Sequence, residues 1–499
     1  MLGDLRRCKS VEEMIREADS SPHRLKRTLS TLDLTFLGIG AVIGAGIFSS
    51  IGTAAVGEVA ADGTIVRYGA GPALVLSFVL LGAVCALAGL CYAELTSMIP
   101  VAGSAYTYTY ATLGRLAAWI IGWDLILEYA VGNAAVAIAW SGYFASLFRV
   151  FGIEIPFWLS HSIRDVTLSY PDRIADLPVW AGHPIAINIP AMVIVALVTW
   201  VLVIGIKESA RVNNMMVVVK LAVLALFVGV GAMAIDPANW KPFAPNGWKG
   251  IHQGAAIVFF AYIGFDAVST AAEETKNPKR SMPIGILASL GICTAIYAIV
   301  GLVATGIVPY TMLKGSDPLA RAFEGAGISW GQAIIALGAI VSMTAVLLCF
   351  QLGQPRIFFS MSRDGLLPKW FAQVHPKFRT PHVTTILTGI VVALGATFLD
   401  DDETYDLTNI GTLFAFMVVC IGVLVLRIRD PHRERAFRVP FVWLVAPLGA
   451  MACGYVMLGL PRAAWIRFGV WLAAGLVIFF VNQAGAAKKS RLNSAPPGC

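Results

Sequence analysis

The sequence predicts an all-α polytopic membrane protein, and three observations carry that prediction. The 499 residues are 57% hydrophobic and 13% charged, with a mean hydropathy of +0.74, which is not the composition of a soluble domain. Apolar windows long enough to cross a bilayer recur from residue 33 almost to the end. Two of them, the first and the sixth, are interrupted by glycine where a helix in hydrocarbon wants unbroken backbone hydrogen bonding.

The windows fall near 33–56, 72–96, 116–149, 186–206, 212–235, 251–272, 283–308, 329–360, 382–399, 405–426, 440–460 and 464–483, about twelve spans. Residues 1–32 form a basic arm with Arg6, Arg7, Lys9, Arg24, Lys26 and Arg27, and residues 484–499 a short tail with Lys488, Lys489 and Arg491. Positive charge next to spans stays on the cytoplasmic side, so both termini are expected inside the cell membrane. The loops with Lys207 and Arg211, with Lys276, Lys279 and Arg280, with Arg363, Lys369, Lys377 and Arg379, and with Arg427 to Arg438 share that side. Asp400, Asp401, Asp402 and Glu403 fall opposite. Val11 to Ile15 suggest a short surface helix. The long outer loop, 151–185, mixes aromatic and charged residues, so it is either an interfacial cover or unstructured.

The net charge of +7 belongs to these loops and to anionic lipid headgroups, not to a nucleic-acid surface. The 8 cysteines lie mostly within spans and lack metal spacing, so neither a disulfide framework nor a metal is expected. Nor is a cofactor expected, and no recurring nucleophile–base pair suggests an enzyme.

In span one, Gly40, Gly44 and Gly46 flank Val42, Ile43 and Ala45. Glycines in membrane helices serve close packing or an unwound turn, and this segment alone admits both. If it unwinds, the N–H groups of Gly44, Ala45 and Gly46 become a receptor for a carboxylate at a half-helix N-terminus. Span six breaks at Ile263-Gly264-Phe265-Asp266. There Asp266 either caps the second half-helix or contacts a ligand, with the cap preferred. The carbonyls of Phe260, Ala261 and Ile263, helped by Val42 and Ile43, would accept an ammonium group. Broken helices at matching places in two five-span units point to an inverted repeat with a central site, and a site for both charges fits an α-amino acid.

GIGAVIGAGIF at 38–48, FFAYIGFDAVSTAAEETKNPKRSMPIGI at 259–286 and RIFFSMSRDGLLP at 356–368 resemble the amino acid–polyamine–organocation superfamily, and within it the cationic amino acid transporter branch in its bacterial twelve-helix form. GWDLILEY at 122–129 and VVVKLAVL around Lys220 are similar too. The resemblance spans nearly the whole membrane region. It implies a secondary transporter with a five-plus-five inverted repeat (33–235 and 251–428), two extra helices (440–483), and alternating access around the broken spans.

The ionisable residues inside spans are functional candidates. Lys220 either snorkels to the interface or, as the resemblance implies, binds the unwound part of span one and couples transport to protons. Asp124 and Glu128 are four residues apart on one helix face. Glu128 is the better proton carrier, linked to Lys220, or else a fixed structural partner. Glu94 is an inner-gate or interface residue, and Glu273 and Glu274 are inner-gate charges or solvated loop charges. Met343 in span eight is, by resemblance, a wall of the side-chain pocket. Residues 340–345 contain no acid, so the expected cargo is a neutral L-amino acid carried with protons. The alternatives are a cationic amino acid carrier, an exchanger, or a nontransporting sensor. An accessory subunit stays open.

Overall fold

In the computed structural model, residues 8–20, 29–60, 63–99, 101, 104–205, 210–378 and 380–493 are described. The basic residues Arg6, Arg7, Arg24, Lys26, Arg27, Lys207 and Arg379 lie outside them, as do the side chains of Arg211, Glu273, Lys488, Lys489 and Arg491.

The helices follow the hydropathy of the chain. Among the described residues, eight segments are long and apolar enough to cross a membrane: Thr31–Val56 (span one), Gly71–Met98 (two), Arg115–Val150 (three), Asn214–Ala232 (five), Pro278–Ile307 (seven), Ser329–Arg363 (eight), Asp401–Arg429 (ten) and Arg462–Asn482 (twelve). Ile189–Ile204 (four), His382–Phe398 (nine) and Val442–Met457 (eleven) are shorter apolar helices. Span six is broken into Gly247–Val258, a 3-10 turn at Phe259–Tyr262 and a short helix at Ala267–Thr270.

The ends of these helices are written in local chemistry. Ser30 and Asp33 form a reciprocal capping box at the start of span one. Asp400 caps span ten, with Asp401, Asp402 and Glu403 in its first turn and Arg427 and Arg429 in its last. Charges so placed oppose the helix dipole, which is why span ten begins four residues before its apolar window.

Packing carries a five-span period. Span two lies along seven, three along eight and four along nine, and the breaks of one and six touch. Span three packs on ten as eight packs on five, and one packs on seven as six packs on two.

The 151–185 loop is ordered. Short helices at Phe157–Ser160 and Ile163–Ser169 and a two-residue hairpin surround a small core of Val166, Leu177 and Ala186. At the other end of the bundle, the Val11–Ser20 helix is docked on protein instead of lying on a surface. Val11 and Met14 are buried, Lys9 pairs with Asp364 at 3.0 Å, and Glu12 pairs with Arg433.

Candidate functional site

Span one is helical from Thr31 to Val42, then leaves helical geometry at Ile43 (φ −76°, ψ 96°) and resumes as a π-helical turn at Gly46–Ser50. The first N–H groups of a helix have no intrahelical acceptor, and here those groups include Gly46 and the Ala45 that precedes it. In span six, Ile263 is extended and Gly264 has φ +113°, a conformation that favours glycine. The two breaks meet. A Cβ on Gly46 would fall 2.2 Å from Ala261 Cα, and one on Gly264 would fall 2.8 Å from the Ala41 carbonyl oxygen. Gly44 faces Val346 of span eight. Unwinding and close packing, alternatives in the sequence, therefore coexist: the glycines let one broken backbone lie against the other.

The freed carbonyls of span one are taken by side chains. Lys220 Nζ donates to Gly40 O at 2.7 Å and to Ile43 O at 3.0 Å. Ser342 Oγ donates to Ile43 O at 3.2 Å, and Tyr297 OH to Val42 O at 2.8 Å. Lys220 is 1% exposed, so it does not snorkel; its stem carries the ammonium inward to the break. The Val42 and Ile43 carbonyls, expected to help receive a substrate ammonium, hold these protein donors in this structure. Both lone pairs of the Ile43 carbonyl are engaged within the protein, and Val42 keeps one. On the second half-helix, Tyr143 OH donates to Phe48 O, and Ser49 and Tyr405 share a hydrogen bond of 2.6 Å.

Span six is braced in the same way. Asn409 Nδ2 donates to Ala256 O and Ile257 O at 2.8 and 3.0 Å, just before the 3-10 turn that carries Phe260 and Ala261. Asp266 stands at the N-cap position of Ala267–Thr270, but its side chain makes no cap bond. Ser104 Oγ donates to Asp266 Oδ2 at 2.9 Å instead. The capping expectation fails because Asp266 has helical backbone angles (φ −68°, ψ −25°), whereas a capping side chain needs the extended conformation.

Glu128 and Asp124 are buried on span three. Glu128 Oε2 and both Asp124 carboxylate oxygens lack a hydrogen-bond partner among the described residues. Asp124 rests on span ten, where a Cβ on Gly411 would meet its Oδ1 at 2.6 Å. Among the described residues, the hydrogen bonds of Lys220 go to Gly40 and Ile43, not to Glu128. Met343 is fully buried one residue beyond Ser342, which touches the break. Glu94, 1% exposed, accepts hydrogen bonds from Arg427, Arg435 and the Val439 N–H. It ties spans two and ten together at the end that holds the N-terminal helix. No group of three or more His, Cys, Asp or Glu is placed to hold a metal among the described residues.

Sequence reasoning missed Tyr297, Tyr405, Asn409 and Ser104. A polar side chain inside an apolar run, such as Asn409 in TNIGTLFAF, was the available signal.

Residues 29–497 match the family described as amino acid permease. The chain belongs to the amino acid permease family. This permease is 45% identical to the methylthioribose transporter of Bacillus subtilis over 492 residues, 99% of its own length and 100% of the relative's. It is also 45% identical to the branched-chain amino acid permease BcaP of the same organism over 494 residues, with the same coverage. Cationic amino acid transporter 4, vacuolar, of Arabidopsis thaliana is 37% identical over 437 residues, 86% of this permease and 68% of that protein. It is a multi-pass membrane permease with the all-helical, discontinuous-helix architecture expected from its sequence.

Proposed function

We propose that this permease imports neutral L-amino acids together with protons, by alternating access about the crossing of spans one and six. The observation that carries the reading is that crossing. Two broken backbones meet there, and in this reading the N–H groups of Gly44, Ala45 and Gly46, at the start of the second half-helix, receive a carboxylate. The carbonyls of Phe260, Ala261 and Ile263 stand where α-helical bonding stops and receive the ammonium. Main-chain recognition serves every amino acid, so side-chain choice falls to the wall at Met343, and residues 340–345 of that span offer no acid for a cationic side chain. The name of the branched-chain relative supports a neutral cargo.

Lys220 is the coupling residue in this reading. Its ammonium holds the Gly40 and Ile43 carbonyls. Losing the proton weakens that grip, because charge-assisted hydrogen bonds are about twice as strong as neutral ones. Glu128 is a separate proton site on span three. The five-span packing period supports two repeats, residues 33–235 and 251–428. The Arg-rich loop before span eleven lies at the end of the bundle that holds the N-terminal helix, which supports a cytoplasmic N-terminus.

A second reading follows from the equally similar relative named for methylthioribose. That thiosugar has no carboxylate or ammonium for the broken backbones to hold. Uptake into proteoliposomes of labelled alanine, arginine and methylthioribose, with and without an inward proton gradient, tests both. Gradient-driven alanine accumulation is expected. Arginine or methylthioribose uptake alone overturns the neutral amino acid reading.

A further inference from the structure

We propose that a cavity at the end of the bundle remote from the N-terminal helix is a second amino acid site, which takes the substrate's ammonium group before it reaches the central crossing. The inference rests on the amino acid reading above. The cavity measures about 500 Å³, within the range of small-molecule sites. It lies between spans one, three and ten, the 151–185 loop and the loop before span eight. Thr53 lines it, on the half-helix whose other end carries Gly46, roughly 11 Å of helix away at seven residues' rise. The cavity and the crossing thus lie on one half-helix, with the buried Phe48, Tyr143 and Tyr405 between them. At the opposite end, a cleft beside Lys9, Met14 and Asp364 holds about 10 Å³.

What marks the cavity as a site is the state of its carboxylates. Asp317, 2% exposed, lines it. Its Oδ1 is held by Arg321 at 2.5 Å, but its Oδ2 is buried with no hydrogen-bond partner among the described residues. Across the cavity, Asp400 is 3% exposed and gives one oxygen to the Asp402 N–H. One oxygen each of Asp401 and Asp402 is also buried without a partner. Nearby carboxylates just outside the cavity are paired: Glu403 with Arg164 and Arg467, and Asp406 and Glu58 with the one Arg67. Arg149, Arg173 and Arg321 line the cavity too, yet oxygens of Asp317, Asp401 and Asp402 stay without a partner among the described residues. Buried acceptors are costly when unmet.

The unmet acceptors come from two separate elements, the loop before span eight and the start of span ten, and no metal-holding group of three is present among the described residues. Separated acceptors suit a primary ammonium, which has three rotatable donors. Lys314 on the rim is exposed and supplies a cation for the carboxylate of the same ligand.

The test is equilibrium binding of labelled alanine to the purified full-length protein, with folding of every variant checked by thermal melting. Two equivalents per chain are expected for the unmodified protein. One is expected for Asp401→Asn/Asp402→Asn, and one for Asp317→Asn, a second route to the same loss. Gly44→Leu, which fills the niche at the crossing, should retain one equivalent, displaced by alaninamide but not by N-acetylalanine. A single equivalent in the unmodified protein, abolished by Gly44→Leu and untouched by the carboxamide variants, overturns the second site and leaves the permease reading standing. Displacement of the residual equivalent by N-acetylalanine as readily as by alaninamide overturns its ammonium chemistry. No alanine binding by any folded protein overturns both readings.

Discussion

Gly46→Ala places a methyl group where two backbones touch. The new Cβ would lie 2.2 Å from Ala261 Cα, 2.5 Å from Ala261 N and 2.7 Å from Ala261 Cβ. Carbon atoms rest at about 3.5–4.0 Å, so spans one and six must part by roughly 1.3 Å or more at their crossing. The obstacle is main chain, so no rotamer change relieves it. Overpacking of this kind costs about 1–3 kcal/mol, and a displacement of about 1 Å in a positioned site costs on the order of 100-fold in rate. Alanine uptake by proteoliposomes, normalised to reconstituted protein, should fall about 100-fold, with a lowered melting temperature. Gly44→Ala meets only the tip of Val346, at 2.7 Å, which can turn aside. Its loss should stay within about tenfold, or 1.4 kcal/mol. Gly291→Ala in span seven meets nothing within 4 Å and gains helix propensity of about 1 kcal/mol, so it should transport normally and melt no lower. Uptake by Gly46→Ala within twofold (~0.4 kcal/mol) of the unmodified protein would refute the crossing as the working centre.

Lys220→Met keeps the volume but removes two charge-assisted hydrogen bonds, each worth about 1.5–3 kcal/mol. Accumulation driven by a proton gradient should collapse to equilibration while alanine exchange persists; unchanged pH-dependent accumulation would reject Lys220 as the coupling residue. Met343→Ser should admit longer or cationic side chains, shifting relative uptake by about 10–200-fold, and an unaltered substrate profile would remove Met343 from the pocket wall. Glu94→Gln leaves the Arg427 and Arg435 guanidiniums without their buried carboxylate. Breaking a buried pair costs about 3–5 kcal/mol, so the melting temperature should drop clearly; an unchanged value would show that the network adds nothing to stability.

Most of the architecture is local in origin, and so it was legible. Spans follow windows of apolar residues because hydrocarbon length and backbone satisfaction are constraints on contiguous sequence. The breaks followed from glycine for the same reason: Gly264 takes a positive φ, and Gly44 and Gly46 weaken the helix where it leaves regular geometry. Even the early start of span ten is written in Asp400 to Glu403, although a hydropathy window passes over charged caps.

The assignments that needed the folded chain are those between remote residues. Lys220 meets Gly40 across 180 positions, and Tyr297 meets Val42 across 255. Nothing in the spacing of a lysine on span five says whether it turns to lipid headgroups or to a broken helix; the decision belongs to the packing of spans one, five and eight. Asp266 shows the converse. Its neighbours in sequence suggest a cap, but its backbone angles and the approach of Ser104 from another element decide otherwise. By itself, then, the sequence determined a membrane protein of about twelve spans with two broken helices, because hydrophobicity and glycine act through the chain's own backbone. Only the tertiary structure decided which carbonyls remain for a ligand and which carboxylates face a cavity, because each freed polar group takes the nearest donor in space, wherever in the chain that donor lies.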